Sequence, residues 1–552
     1  MYTHKYNTLF IIISVFLLTG CLNSDSPQTT RSEPDKPVAG GTYRRAFADS
    51  YIVLDPAIIK DSNSHEVCRQ IYDGLVELDN TGNPSPAIAQ SWEISENKLL
   101  YSFKLRKDVR FHSISGGKPT LNKGRLLTAG DVVKTFQRLL TPSTDSQGAL
   151  FHVIKGAKSF SEGKATELTG VRAISSDVVE FELEQPFAPF LVLLGACNAF
   201  IIPAEDAENE QEPLKDRPVG TGAFYWHGKE GETIVLKANE NYFRGRPYLD
   251  KIEFPIIGGE YERFRLFKEG KLMHVDVPDS EYKNVKQDPV LYKCLLETSR
   301  WGTNYLGMNT EVFPFDNRLV RQAINYSIDR AAIVKLVLND RARVANGVLP
   351  PGIVGFNQNF SGYSYNLEKA RELLAEAGYP GGKGFPEIVL QYNKDIIHAR
   401  IGEFVLANLN DLGIKCKVRE LDFGEHLKTV ESGEATFFRM GWTVDYPDPD
   451  SFLHTLFHSS NIKTGYNFSR INVPELDRLL DEARFETTQS RRIELYQQAE
   501  QLIFKEAPWV FLYFYTTHLL HLPEVKGLTL GPMGQPFINY RKIWLQQKAK
   551  NN

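Results

Sequence analysis

The sequence predicts an α/β fold in which helices cover a parallel or mixed sheet. Strand and helix signals alternate after residue 40, most clearly from Phe385 to Trp442. Of 552 residues, 42% are hydrophobic and 24% charged, which is ordinary globular usage and argues against wholesale disorder. No 20–50-residue repeat and no heptad pattern occurs, which disfavours solenoids and coiled coils. The length fits about three or four domain-sized units. Formal net charge is −4. A nucleic-acid binder needs a basic surface to replace phosphate counterions, so that class is excluded.

The elements follow along the chain. His4 and Lys5 precede an apolar run, Leu9 to Leu18, which is far shorter than the roughly 20 residues of a spanning helix. Residues 1–20 therefore read as a secretory signal. The run ends in Leu18-Thr19-Gly20-Cys21, which resembles the lipobox of bacterial lipoproteins. That resemblance implies lipidation of Cys21 and a mature protein held at a membrane by acyl chains. Residues 21–40 are polar and proline-containing and read as a flexible tether. From Trp92 to His112 short alternating strands are expected, the clearest being Tyr101 to Arg106.

Helices are well punctuated further on. Asp316 is the expected cap of one carrying Leu319, Val320, Ala323, Ile324 and Ile328. Asn366 caps another, closed by Gly378 and Pro380. In the clearest block, Ile388–Tyr392 is β-rich, and apolar residues from Ile397 to Leu412 recur at helical spacing before Gly413. Ile414, Cys416 and Val418 alternate with Lys415, Lys417 and Arg419, so they are expected to face inward. A helix over 423–432 ending at Gly433 and a strand from Thr436 to Trp442 complete a β-α-β-α-β pattern. Asn472 and Pro474 open a further helix, and Arg491 to Glu506 forms another.

Enzyme motifs are missing. There is no His-Glu-x-x-His, P-loop, dinucleotide glycine fingerprint or Gly-x-Ser-x-Gly elbow. The twelve histidines show no Cys/His cluster at zinc spacing, and the nearest pair, His518 and His521, reads as partly exposed. No metal and no cofactor is expected. Cys68, Cys197, Cys294 and Cys416 allow three fully paired connectivities or four free thiols.

The informative stretch runs from Phe437 to Asp450. Asp445 falls just past the carboxyl end of a sheet strand, where open α/β sheets bind ligands. A carboxylate in a cleft suits an ammonium group; in a plain turn it would serve backbone amides. Trp442 offers a flat apolar wall, and Gly441 admits close approach. Arg439, on the opposite strand face from Trp442, suits either a ligand carboxylate or a structural ion pair. Asp448 and Asp450 read as turn groups, Asp450 as the cap of a helix starting at Ser451.

An ordered series of motifs extends this reading. It includes Leu54-Asp55-Pro56, Ile71-Tyr72-Asp73-Gly74-Leu75, Ala89-Gln90-Ser91-Trp92-Glu93, Thr128-Ala129-Gly130-Asp131-Val132-Val133, Pro218-Val219-Gly220-Thr221-Gly222, Val320-Arg321-Gln322-Ala323-Ile324, and Gly441-Trp442-Thr443-x-Asp445-Tyr446. With these motifs the chain, from about Gly41 onward, resembles the family 5 extracellular solute-binding proteins, which include the oligopeptide- and dipeptide-binding components of bacterial ABC importers. The resemblance implies a periplasmic-binding-protein-like, type II fold of cluster C. Two large mixed-sheet lobes would be joined by a hinge, with an extra smaller lobe. Lobe I would comprise 41–66, 203–297 and 512–552, lobe II 67–202, and lobe III 298–511.

The resemblance also implies a role for each residue of the site. Asp445 would pair with a peptide's amino terminus. Gly441, Trp442 and Thr443, next to Tyr446, would line one side of an extended ligand, and Ser50, Tyr51 and Ile52 the other. Arg439 would meet the carboxylate of short peptides. The expected protein is a monomeric, non-catalytic peptide receptor at the cell surface or in the periplasm, serving a membrane permease and its ATPase. Rival ligands on this fold are nickel chelates, haem, sugars and opines, and the rival class is a secreted peptidase. The segment Ser113 to Leu126 is longer than is usual in the family.

Overall fold

The run from Phe385 to Thr443 folds as its spacing predicts. Ile388–Asn393 is a strand, Ile396–Asp411 a helix, Cys416–Leu421 a strand, Phe423–Ser432 a helix and Phe437–Thr443 a strand. Asp395 caps the first helix by accepting from the Ile397 and His398 N–H groups, and Gly433 ends the second in the left-handed conformation at φ +80°. These belong to a computed structural model that describes residues 36–546, apart from 49, 60, 142–147, 208–210, 212 and 464. The signal run, Cys21 and the tether up to residue 35 lie outside the described residues.

The three strands join a mixed seven-stranded sheet. Its order is His274–Asp276, Trp509–His521, Leu295–Met308, Phe437–Thr443, Ile388–Asn393 and Cys416–Leu421, with Arg343–Val344 paired to Trp509–His521. Ile388–Asn393 runs parallel to both of its neighbours, and Phe437–Thr443 antiparallel to Leu295–Met308. The period-two alternation of side chains feeds two cores. Phe437, Leu306, Met308, Val510 and Leu512 enter one, with Ile401, Val405 and Leu409 of the Ile396–Asp411 helix. Phe438, Met440, Tyr305, Trp509 and Phe511 enter the other, with Leu476, Leu480, Leu495 and Ala499 of the Pro474–Phe485 and Gln489–Glu506 helices. A sheet sealed on both faces positions its strand ends firmly.

Two four-stranded sheets complete the framework. One orders Thr42–Arg44, Lys251–Pro255, Thr233–Ala238 and Phe224–Glu230; the other orders Ala89–Ile94, Leu100–Leu105, Val178–Glu182 and Val171–Ser175. The long segment after Phe111 contains a small hairpin, Ile114–Ser115 with Lys118–Pro119. It docks onto the first of these sheets: the Gly116 N–H donates to Trp226 O at 2.9 Å, and Ser115 Oγ donates to Pro218 O at 2.7 Å.

Some local expectations are corrected. Asn317, not Asp316, caps the Arg318–Ser327 helix by accepting from the Leu319 N–H. Cys416 is only half-buried and Val418 is exposed, because Cys416–Leu421 is the edge strand and its apolar phase has little to cover it. His518 is buried, with Nδ1 3.0 Å from Glu297 Oε1 and Nε2 3.0 Å from Arg341 O, whereas His521 is partly exposed. Cys68, Cys197, Cys294 and Cys416 are free thiols. Among the described residues no helix is long and apolar enough to cross a membrane.

Candidate functional site

The site begins where the Phe437–Thr443 strand outruns its neighbour. Ile388–Asn393 pairs with it only at Phe437 and Phe438. On the other side Leu295–Met308 follows it to Thr443. The beyond-Phe438 edge is taken first by a side chain: His426 Nε2 lies 2.9 Å from Arg439 O. Gln391 Nε2 donates to His426 Nδ1 at 3.0 Å, so the proton sits on Nε2 and is donated to that carbonyl. Burial pushes the His426 pKa down, which keeps the ring neutral.

That bond fixes which way the strand faces. In an antiparallel pair, residues turn alternately toward the partner strand and away from it. Arg439 turns away, to His426. At the far end the Val444 N–H donates to Trp301 O at 3.0 Å, so Val444 turns toward the partner. Met440 and Trp442 therefore face the long strand, and the backbone groups of Gly441 and Thr443 face the open edge. An extended chain laid there meets an N–H and a C=O at each of these two residues.

Gly441 is required by a side chain. A Cβ at this position would lie 2.1 Å from Tyr515 Oη. Tyr515 Oη in turn accepts from Asn304 Nδ2 at 3.0 Å. Trp442 lies on the opposite face, packs on the core and meets Tyr466 edge-on at 6.1 Å. Its Nε1 is shielded from solvent and has no hydrogen-bond partner among the described residues.

Asp445 follows the strand. Its N–H donates to Ser451 Oγ at 3.2 Å, which anchors the turn. Among the described residues nothing bonds to or ion-pairs with its carboxylate. The residue is exposed to solvent, although protein surrounds it closely. These surroundings push its pKa up to about 7, since desolvation disfavours the charged form. Its neighbours Asp448 and Asp450 differ. Asp448 receives two bonds from Arg492, at 2.7 and 2.5 Å, and caps the short Pro449–Ser451 helix. Asp450 lies inside that helix, so it is not the expected cap; it accepts from the buried Tyr446 hydroxyl at 2.6 Å. Tyr446 thus braces the turn, with its ring in the core and its hydroxyl committed.

Arg439 is 8% exposed. Burial works against its charge, but the Tyr515 and Tyr513 phenols outweigh it and raise its pKa. Among the described residues no carboxylate lies at ion-pair distance, and Nε has no hydrogen-bond partner. A buried cation without a counter-ion is costly, and a ligand carboxylate would relieve that cost. Ser50, Tyr51 and Ile52 belong to no strand: Ser50 and Tyr51 are exposed, and Ile52 packs on the core of the Thr42–Arg44 sheet. His426, Tyr513, Tyr515 and Asn304 were missed by sequence reasoning. Alternation along Trp509–His521 places Tyr513 and Tyr515 on one face, a signal that was available.

The model of the bacterial extracellular solute-binding proteins, family 5, matches residues 83–464. The chain belongs to this family. It is 33% identical to the haem-binding protein A of Haemophilus influenzae over 543 residues, covering 96% of this chain and 97% of that protein. It is 31% identical to the dipeptide-binding protein of Escherichia coli, covering 84% and 87%. Among solved structures, the periplasmic binding protein DppA of Helicobacter pylori in complex with the peptide STSA superposes with a TM-score of 0.77 at 29% identity, covering 92% and 99%. Fold and family thus agree with the resemblance read from the motifs.

Proposed function

We propose that this family 5 chain is the substrate-binding component of an ABC importer and that it captures short peptides in extended form. One observation carries the reading: a carboxylate with no partner among the described residues stands two residues beyond a strand whose Gly441 and Thr443 backbone groups face an open edge. The peptide's ammonium pairs with Asp445. Its backbone adds to the Gly441–Thr443 edge as a further strand, which gives affinity without reading side chains. Arg439 takes the carboxylate of a short ligand. Ser50 to Ile52 close over the opposite side. Lobes at 41–66 with 203–297 and 512–552, at 67–202, and at 298–511 close by a hinge. The chain is a monomeric receptor that does no chemistry on its ligand, and acyl chains on Cys21 hold it at the membrane.

A second reading has its own support. The identity to the haem-binding protein A extends over 96% of this chain, and the Arg439 cation suits a propionate as well as a peptide carboxylate. Haem carries no ammonium, however, and leaves Asp445 without a partner. Native mass spectrometry of the protein as purified decides between them. Co-purifying short peptides support the proposal; haem released in stoichiometric amount, with no peptide, overturns it.

A further inference from the structure

A second cluster of polar side chains lies outside the ligand edge. The helices Leu453–Phe457 and Pro474–Phe485 pack on one another. His454 and His458 are four residues apart, as are Asp477 and Asp481, so each pair shares a face. His454 Nε2 lies 3.6 Å from Asp481 Oδ1, and His458 Nε2 3.4 Å from the same oxygen. His458 Nε2 also lies 3.9 Å from Asp477 Oδ1. The two imidazoles stack at 4.5 Å.

These separations have a chemical meaning. Two are beyond ordinary hydrogen-bond length, and the third is at its outer limit. A tetrahedral ion with metal–ligand distances of about 2.0–2.2 Å has ligand–ligand edges of about 3.3–3.6 Å, which two of the three distances match. His458 Nδ1 accepts from the Ser460 N–H at 3.1 Å and has Ser460 Oγ at 2.7 Å, so in the metal-free chain Nε2 carries the proton and faces Asp481; an ion would take that proton's place, with Ser460 Oγ as the acceptor for a proton moved to Nδ1.

We propose that His454, His458 and Asp481 form a site for a divalent transition metal of the zinc type, with Asp477 as a fourth ligand. Two imidazoles and two carboxylates are a borderline donor set of suitable charge. Asp477 already accepts from the Ser459 N–H at 2.9 Å and Oγ at 2.5 Å, which orients it. One cation intrudes: Arg484 Nη1 is 3.0 Å from His454 Nε2 and 3.1 Å from Nδ1. It has another acceptor, because its unpartnered Nε lies 3.6 Å from Asp450 Oδ1. Metal entry displaces Arg484 toward Asp450, the residue that holds Tyr446 in the turn after Asp445. The ion therefore clamps two helices behind the ligand turn. No metal was expected from the sequence; the overlooked signal is the His-x-x-x-His spacing of His454 and His458.

The test uses the full chain stripped with chelator and titrated with Zn²⁺ by calorimetry and with Co²⁺ by visible absorption. One saturable equivalent of zinc, the intense absorption of tetrahedral cobalt and a raised Tm are expected. His458→Gln and Asp481→Asn should each weaken zinc at least tenfold, with circular dichroism confirming that they fold. Absence of saturable zinc uptake by the unmutated chain overturns the proposal, as does binding that survives His458→Gln unchanged. Neither outcome depends on what occupies the Gly441–Thr443 edge.

Discussion

Peptide affinity should fall steeply as pH drops below 7, and the slope should belong to Asp445. Its folded-state pKa of about 7 means that roughly half the carboxylates are protonated at neutral pH without ligand. Pairing with an ammonium requires the charged form. At pH 5 about 1% is charged, so affinity should be about 50-fold lower than at pH 7, an average of about sevenfold per pH unit. Water reaching the exposed side of the carboxylate screens the effect, so this is a ceiling. The sign follows from the raised pKa: binding competence is absent well below 7 and gained as pH rises through it. A peptide amine, with a pKa of about 7.7–8.0, loses its proton just above this, so affinity should peak between the two values. The assay is isothermal titration with a di- or tripeptide from pH 5 to 9, on the unmutated protein and on Asp445→Asn. Asp445→Asn should bind weakly and lose the acidic slope, and N-acetylation of the peptide should do the same from the ligand side. An unchanged acidic slope in Asp445→Asn, or a flat profile in the unmutated protein, would refute the amine anchor.

Two other substitutions probe the edge and its far end. Gly441→Ala places a methyl 2.1 Å from Tyr515 Oη; it should destabilise by about 1–3 kcal/mol in urea denaturation and weaken peptides of every sequence alike. Arg439→Met should cost about tenfold or more with free dipeptides and little with C-terminally amidated ones, measured as a double-mutant cycle by calorimetry.

The sequence made the β-α-β-α-β block legible because its signals are local. Apolar residues from Ile397 to Leu412 and the glycines at 413 and 433 act within a few residues of where they stand, and the elements end where those signals say. Cys416–Leu421 misleads for the complementary reason. Its alternation is genuine, but which strand becomes an edge depends on sheet order, a long-range outcome. Asp316 and Asn317 show the smaller error, in which two adjacent residues are both good caps and backbone geometry picks one. Asp445 could be located by motif and strand end. Its lack of a partner could not, because that depends on Arg492 and Tyr446 choosing other acceptors. Tyr515 and His426 come from segments about 75 residues downstream and 15 upstream of the Gly441 edge, and only the assembled sheet brings them to it.

Three aspartates within six residues have the same intrinsic chemistry, and the fold assigns them opposite tasks. Asp448 is paired with Arg492, and Asp450 accepts from the Tyr446 hydroxyl and lies 3.6 Å from Arg484 Nε, so the turn is held by groups that already have partners. Rigidity there is what allows Asp445 to remain unsatisfied. A mobile turn would let the carboxylate reach a neighbouring cation. Arg439 is treated in the same way, buried under Tyr513 and Tyr515 without a counter-ion. The protein thus stores an unpaired anion and an unpaired cation on either side of an unpaired backbone edge. A molecule with an ammonium, a run of extended amides and a carboxylate relieves all three at once, whereas one lacking an end charge relieves two. Selectivity for free peptide ends and tolerance of side chains follow from the same arrangement, because no term in that sum involves the side chains of the ligand.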